Sequence, residues 1–141
     1  MKYSSSVTIA APLSSVLPHV NSLDEYPAWM PLIHSIESDG VDAWIVELRA
    51  KVGVFARSKR IRMRRTTNTQ SHIVFERDET DGRTHSPWVL SVELREEGAR
   101  TEVTMNLSYG GNLWTAGVLD RILASQVDVG KENLVKLVHG A

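Results

Sequence analysis

The chain has 141 residues, 42% of them hydrophobic and 23% charged, with a net charge of −1 and no cysteine. That length and composition suit a single domain over residues 1–141 with one real core, and exclude a disordered chain. The balanced charge gives no general pull toward nucleic acid or an anionic membrane. Without cysteine there are no disulfides, thiolate metal sites or cysteine nucleophiles.

The opening stretch through Ser15 carries one lysine but no continuous apolar segment, so it does not read as a signal peptide. No apolar run approaches the ~18 residues of a membrane span. A cytoplasmic protein with no integral membrane association is expected.

Tyr3 to Ile9 is β-prone and reads as a first strand. Pro12 suits the first position of a helix, where a missing N–H is harmless, and Leu13, Val16, Leu17 and Val20 follow at helical spacing. Pro18 should end or bend that helix. A second short helix is expected from Ser22 through Tyr26, with Ser22 and Glu25 in a capping-box pattern. Pro27 and Pro31 then break regular structure around Trp29.

From Ile33 the apolar period becomes two. Ile33–Ser38 is a strand closed by Asp39-Gly40, and Ala43–Val52 follows with Trp44, Val46, Leu48, Ala50 and Val52 on one face. Ser58–Thr66 is a basic strand, and His72–Arg77 sets Ile73 and Phe75 on one face. Asp81-Gly82 signals a turn. Trp88, Leu90, Val92 and Leu94 alternate along the next strand, Glu97-Gly98 turns, and Val103, Met105, Leu107 and Tyr109 alternate along the last. From Leu113 to Val138 the residues Ala116, Leu119, Leu123, Val127, Leu134 and Val138 form a helical stripe.

The order is strand, two short helices, six strands, long helix: an α+β class with an antiparallel seven-stranded sheet, apolar on one face. The long stripe needs an apolar partner, and the sheet is the one this chain offers. A helix laid across a curved sheet leaves a hollow core suited to a ligand.

Three passages carry a resemblance. Val7-Thr8-Ile9-Ala10-Ala11-Pro12, leading to Val16, is similar to a strand ending in Ala-Pro before a first helix. Leu23-Asp24-Glu25-Tyr26-Pro27-Ala28-Trp29-Met30-Pro31 resembles an aromatic-Pro-x-Trp-x-Pro segment. Gly98-Ala99-Arg100-Thr101-Glu102-Val103-Thr104 is similar to a G-x-x-T-x-V-T start of a last strand. Together they resemble the START-like superfamily of polyketide cyclases, coenzyme Q-binding proteins and birch-pollen-allergen-like lipid carriers. The resemblance covers essentially the whole chain. It implies a helix-grip fold with an internal cavity for a hydrophobic or amphipathic small molecule, without implying one chemistry.

Each candidate residue has two readings. Gly130 sits at the centre of the helix stripe, where glycine costs roughly 1 kcal/mol against alanine. It either packs closely on a bulky side chain such as Trp88 or leaves room for a ligand that Gln126 hydrogen-bonds. Trp44 and Phe75 are ordinary core or cavity lining. Trp29, between two prolines, reads as a lid, a gate or a surface anchor for the helix. The segment Ala56–Arg65 carries six basic residues. Parity turns Arg60, Arg62 and Arg64 outward to solvent and to acids on neighbouring strands, and Arg57, Lys59 and Arg65 inward. Lys59 suits a carboxylate, phenolate or enolate, or snorkels outward. The five histidines show no metal-pair spacing, and His34 is a lone acid–base candidate near the mouth. No Ser-His-Asp order, P-loop or dinucleotide fingerprint is present.

The reading is a module that binds a lipid, isoprenoid or polyketide-like molecule. Trp44, Leu48, Phe75, Trp88, Leu90, Met105, Leu119, Leu123 and Val127 form its walls, and Tyr109, Gln126 and Lys59 orient the guest. Burial would supply roughly 25 cal/mol per Å² before costs. The alternatives are an aromatase/cyclase-like enzyme working by positioning and proton shuttling, and a protein-interaction module using the basic strand. No metal, no cofactor and no nucleic-acid partner are called for. Monomer and homodimer both stay open.

Overall fold

The structure is a computed structural model that describes residues 2–52, 55–110 and 118–140, with side chains described for 2–51, 58–110 and 121–140. Its strands are β1 (Lys2–Ile9), β2 (Ile33–Ser38), β3 (Ala43–Val52), β4 (Phe55–Asn68), β5 (His72–Arg77), β6 (Trp88–Glu97) and β7 (Arg100–Tyr109). Helix α1 (Leu13–Val20) and a 3₁₀ segment (Leu23–Ala28) follow β1, and helix α2 (Val118–Gly140) follows β7. The expected Leu113 start of the long helix lies outside the described residues.

All seven strands pair antiparallel in the order β1-β7-β6-β5-β4-β3-β2. From β2 to β7, neighbours in sequence are neighbours in space. The exception is the step from β1 to β2, which joins opposite edges. The chain covers that distance with α1 and the 3₁₀ segment, so these pieces cross one end of the apolar face. There α1 touches β6, β7 and α2, while the 3₁₀ segment touches β2.

Local chemistry fixes these elements. Pro12 precedes α1 in an extended conformation, as its N-cap rather than its first helical residue, and it offers no side-chain cap. The first turn is held instead from across the fold: the Leu13 N–H donates to Glu96 Oε1 of β6 at 3.2 Å, an acid at a positive helix end. The helix runs two residues beyond Pro18. Ser22 caps the next segment by accepting from the Asp24 N–H at 3.4 Å. The Glu25 N–H donates to the Ser22 carbonyl at 3.2 Å. This is the tighter 3₁₀ spacing instead of the expected capping box. At the β6–β7 hairpin Gly98 has φ +64°, the first central position of a tight turn that favours glycine.

The predicted inner face is buried: Trp44, Val46, Leu48 and Ala50 of β3, Ile61 and Met63 of β4, Ile73 and Phe75 of β5, and Leu123, Val127, Leu134 and Val138 of α2 share one core. An aromatic group sits within it. The Tyr26 and Trp29 rings are 4.7 Å apart, and Phe75 meets Tyr26 and Trp44 edge-on at 5.9 and 5.8 Å.

Two further expectations fail. Trp29 is no lid or surface anchor: it is 1% exposed, and its indole N–H donates to the His19 carbonyl at 2.9 Å. The crossover pulls this irregular segment into the core, where the ring covers the end of α1. Arg62 has the outward parity expected but is only 7% exposed. The chain after β5 runs on beside β4, and the β2–β3 turn brings Asp39 over it. The Arg62 guanidinium donates to Asp39 Oδ2 at 2.7 Å and to the Asp78 carbonyl at 2.9 Å, so the buried charge is paired. Its neighbours stay exposed, with Arg60 3.8 Å from Glu37 and Arg64 2.7 Å from Asp78.

Candidate functional site

Beneath α2 the curved sheet lines an apolar, partly open hollow of about 100 Å³. Its described wall draws on nearly every element. The sheet supplies Tyr3, Ser5, Ile33, Val46, Leu48, Ile61, Met63, Trp88, Leu90, Met105 and Leu107. The crossover supplies Leu23, Tyr26, Met30 and Leu32, and α2 closes the roof with Leu123 and Val127. The space is thus built by side chains that each strand's alternation already turns inward.

Of the predicted site residues, Leu48, Trp88, Leu90, Met105, Leu123 and Val127 stand together on this wall. The side chain of Leu119 lies outside the described ones. Trp44 and Phe75 pack into the aromatic core instead, edge to face with each other. Tyr109 is buried behind the wall, its ring 5.4 Å from that of Trp88, because the two residues are paired across β6 and β7. Gly130 packs closely, against the crossover and not against Trp88. A Cβ there would lie 3.1 Å from Met30 Cε and 3.4 Å from the Trp29 carbonyl. Gln126 lines a separate outer groove with Pro31, His34, Arg49, Ala50 and Lys51; one helical turn from Leu123, it falls to the side of the buried stripe.

The charged candidates lie off the wall as well. Lys59 stands opposite Leu48 in the β3–β4 pairing. Burial first, and the nearby Arg77 cation second, pull its ammonium below the ordinary lysine value, against Glu79. Arg65 stacks over Trp44 at 5.6 Å, donates to the Asn21 carbonyl and pairs with Asp42. It stands where the β4–β5 register shifts, between Arg65 and Thr67. Arg57 lies outside the described side chains. Arg77 donates to Glu79 at 3.0 Å and to the Ser86 carbonyl at 3.1 Å. His85 sits 3.3 Å from Arg77 Nη2 and 2.8 Å from Asp81. None of Lys59, Arg65, Arg77 and His85 lies on the described wall of the hollow.

Among the described wall residues, two carry a titratable group, both tyrosines. Burial pushes the Tyr26 hydroxyl far above its ordinary value, and that hydroxyl donates to the Val20 carbonyl at 2.8 Å. Tyr3 is raised by burial and then by Asp128. Neither is a proton donor–acceptor near neutral pH. Among the described residues no three His, Cys, Asp or Glu side chains converge as a metal site, and no helix is long and apolar enough to cross a membrane.

Sequence reasoning missed Tyr26, Met30 and Leu32. They come from the irregular crossover, which has no periodicity to read. Val46, Ile61 and Met63 were legible from the same alternation that marks Leu48.

This architecture, a long helix gripped by a curled seven-stranded antiparallel sheet, is a START-like fold. The family model for polyketide cyclase / dehydrase and lipid transport matches residues 1–139, and the chain belongs to that family. A search of curated proteins finds no sequence match. Solved structures share the fold at low identity. A conserved protein from Geobacillus kaustophilus superposes with a TM-score of 0.79 at 12% identity, covering 99% of this chain and 96% of that one. A START superfamily protein from Mycobacterium smegmatis gives 0.71 at 13%, over 99% and 97%. The Zhui aromatase/cyclase of a Streptomyces species gives 0.69 at 15%, over 99% and 93%. At such identities the likeness concerns the fold.

Proposed function

We propose that this chain binds a hydrophobic small molecule with an aromatic ring or a short apolar segment in the hollow beneath α2. The observation that carries the reading is the wall itself. It lines a space of about 100 Å³ and is apolar. An apolar cavity of about 150 Å³ admits benzene and stays dry otherwise, because a water there lacks partners. A ring or one end of a longer isoprenoid, lipid or polyketide suits this space. Burying its apolar surface supplies the affinity. The family's name joins carriers with cyclases, and the described wall has no acid–base pair, which favours binding over catalysis.

Native mass spectrometry of freshly purified protein is expected to reveal a retained apolar molecule. Toluene and naphthalene are expected to raise the melting temperature of emptied protein. A protein that carries nothing and whose melting is unmoved by either probe would sink the reading.

A further inference from the structure

A second, much smaller space of about 10 Å³ adjoins the hollow beneath α2. Three elements place the two end to end. On β7 the successive inward residues are Leu107, Met105 and Val103, and on β1 they face Tyr3, Ser5 and Val7. Leu107 and Tyr3 line the hollow, Met105 and Ser5 line both spaces, and Val103 and Val7 line the second alone. Helix α2 repeats that order with Leu123, Val127 and Leu134, a span of roughly 16 Å of helix. The crossover agrees, since Met30 lines both spaces and Trp29 the second alone.

Four residues are common to both spaces, Ser5, Met30, Met105 and Val127, and two of these are methionines. A methionine has three rotatable bonds and a polarisable thioether, so it re-packs readily around a guest. The tip of Met30 rests against Gly130, where a Cβ would lie 3.1 Å from its Cε and 3.2 Å from its Sδ. The helix thus carries no side chain at the level of the partition, although glycine is a poor residue within a helix. At about 10 Å³ the second space is at the lower limit for one water and far too small for a ring. An unbranched methylene chain is the shape that suits it once the methionines re-pack.

We propose that the ligand is an aromatic ring carrying an unbranched alkyl tail. The ring occupies the hollow, and the tail passes Met30 and Met105 into the space beneath Leu134. The two methionines thereby set the length and shape of the guest. This rests on the reading of the hollow as a binding site.

The test compares toluene with butylbenzene, which share the ring and differ in the tail. Each buried methylene adds about fourfold in affinity, so titration calorimetry is expected to show butylbenzene bound at least about tenfold more tightly. In the unmutated protein, the terminal methyl of bound butylbenzene is expected to give NMR cross-relaxation contacts to the methyls of Val103 and Leu134, which line the second space alone. Met30→Leu keeps the volume and shortens the movable arm. It is expected to cut the advantage of butylbenzene at least about threefold while changing toluene less than about twofold. If that variant fails to fold, the contacts in the unmutated protein still decide the path of the tail. Butylbenzene excluded while toluene binds, or bound without contacts to Val103 and Leu134, overturns the proposal and leaves the hollow as a site. Equal weakening of both ligands by Met30→Leu overturns the role of Met30. If neither compound binds the unmutated protein, the binding reading falls, and this inference with it.

Discussion

Thr101 shows how much one side chain does here. It is 0% exposed, and its hydroxyl donates to the Ala11 carbonyl at 2.9 Å. Thr101→Val keeps the shape and strands that carbonyl, so urea denaturation is expected to show a loss of about 1–3 kcal/mol, most of it restored by Thr101→Ser. The same bond explains two of the sequence passages that resembled a known family. Ala11-Pro12 and Gly98–Thr104 lie far apart in sequence but meet through it. Gly130 is the opposite case, legible as an anomaly but not as to its cause. Its contact on Met30 is with the end of a flexible side chain, which can yield into the hollow. Gly130→Ala is therefore expected to gain up to about 1 kcal/mol from helix propensity in thermal unfolding. The displaced Met30 is expected to weaken binding of a toluene-sized probe.

At the level of elements, the strands were readable because alternation on a half-buried sheet is a strong signal, and β2 and β5 kept their predicted bounds. The crossover was not readable. Its 3₁₀ geometry, the burial of Trp29 and the capping of α1 by Glu96 all depend on partners distant in sequence. The network over Arg62 belongs here too, since it ties the β2–β3 turn and the segment after β5 to β4. The hydrogen bond from Arg64 holds the Asp78 carboxyl below its ordinary value, with Arg62 helping. A group whose folded pKa is depressed stabilises the fold above its unfolded pKa, and that contribution is lost as pH falls through the folded value. The loss is expected below about pH 4. Asp78→Asn is expected to flatten that part of a stability–pH profile measured by urea unfolding, leaving the neutral limb parallel to the original.

Across the whole molecule, enclosure and stability pull against each other. A space of about 100 Å³ forgoes dispersion contacts that a filled core would make. Leu123→Phe, on the roof, is expected to raise thermal stability by about 1 kcal/mol while weakening binding of an aromatic probe at least tenfold. A variant that gained stability with unchanged binding would show that the guest sits elsewhere. That a long stripe over a bent sheet would leave space between them was an expectation the sequence allowed. The part of its lining that the crossover supplies, Tyr26, Met30 and Leu32 among it, was not legible.

The edge pairing of β1 with β7 sets Lys2 opposite Ser108 and Ile9 opposite Thr101. A ribosome making this chain releases β1 long before the strand that receives it. Until then β1 is an unmated edge, and the floor that α2 will roof lacks one side. Meanders from β2 to β7 can zip from local hairpins, whereas β1 must wait for the slowest, most distant contact in the fold. Whatever occupies the interior therefore enters a vessel that is sealed last along that seam.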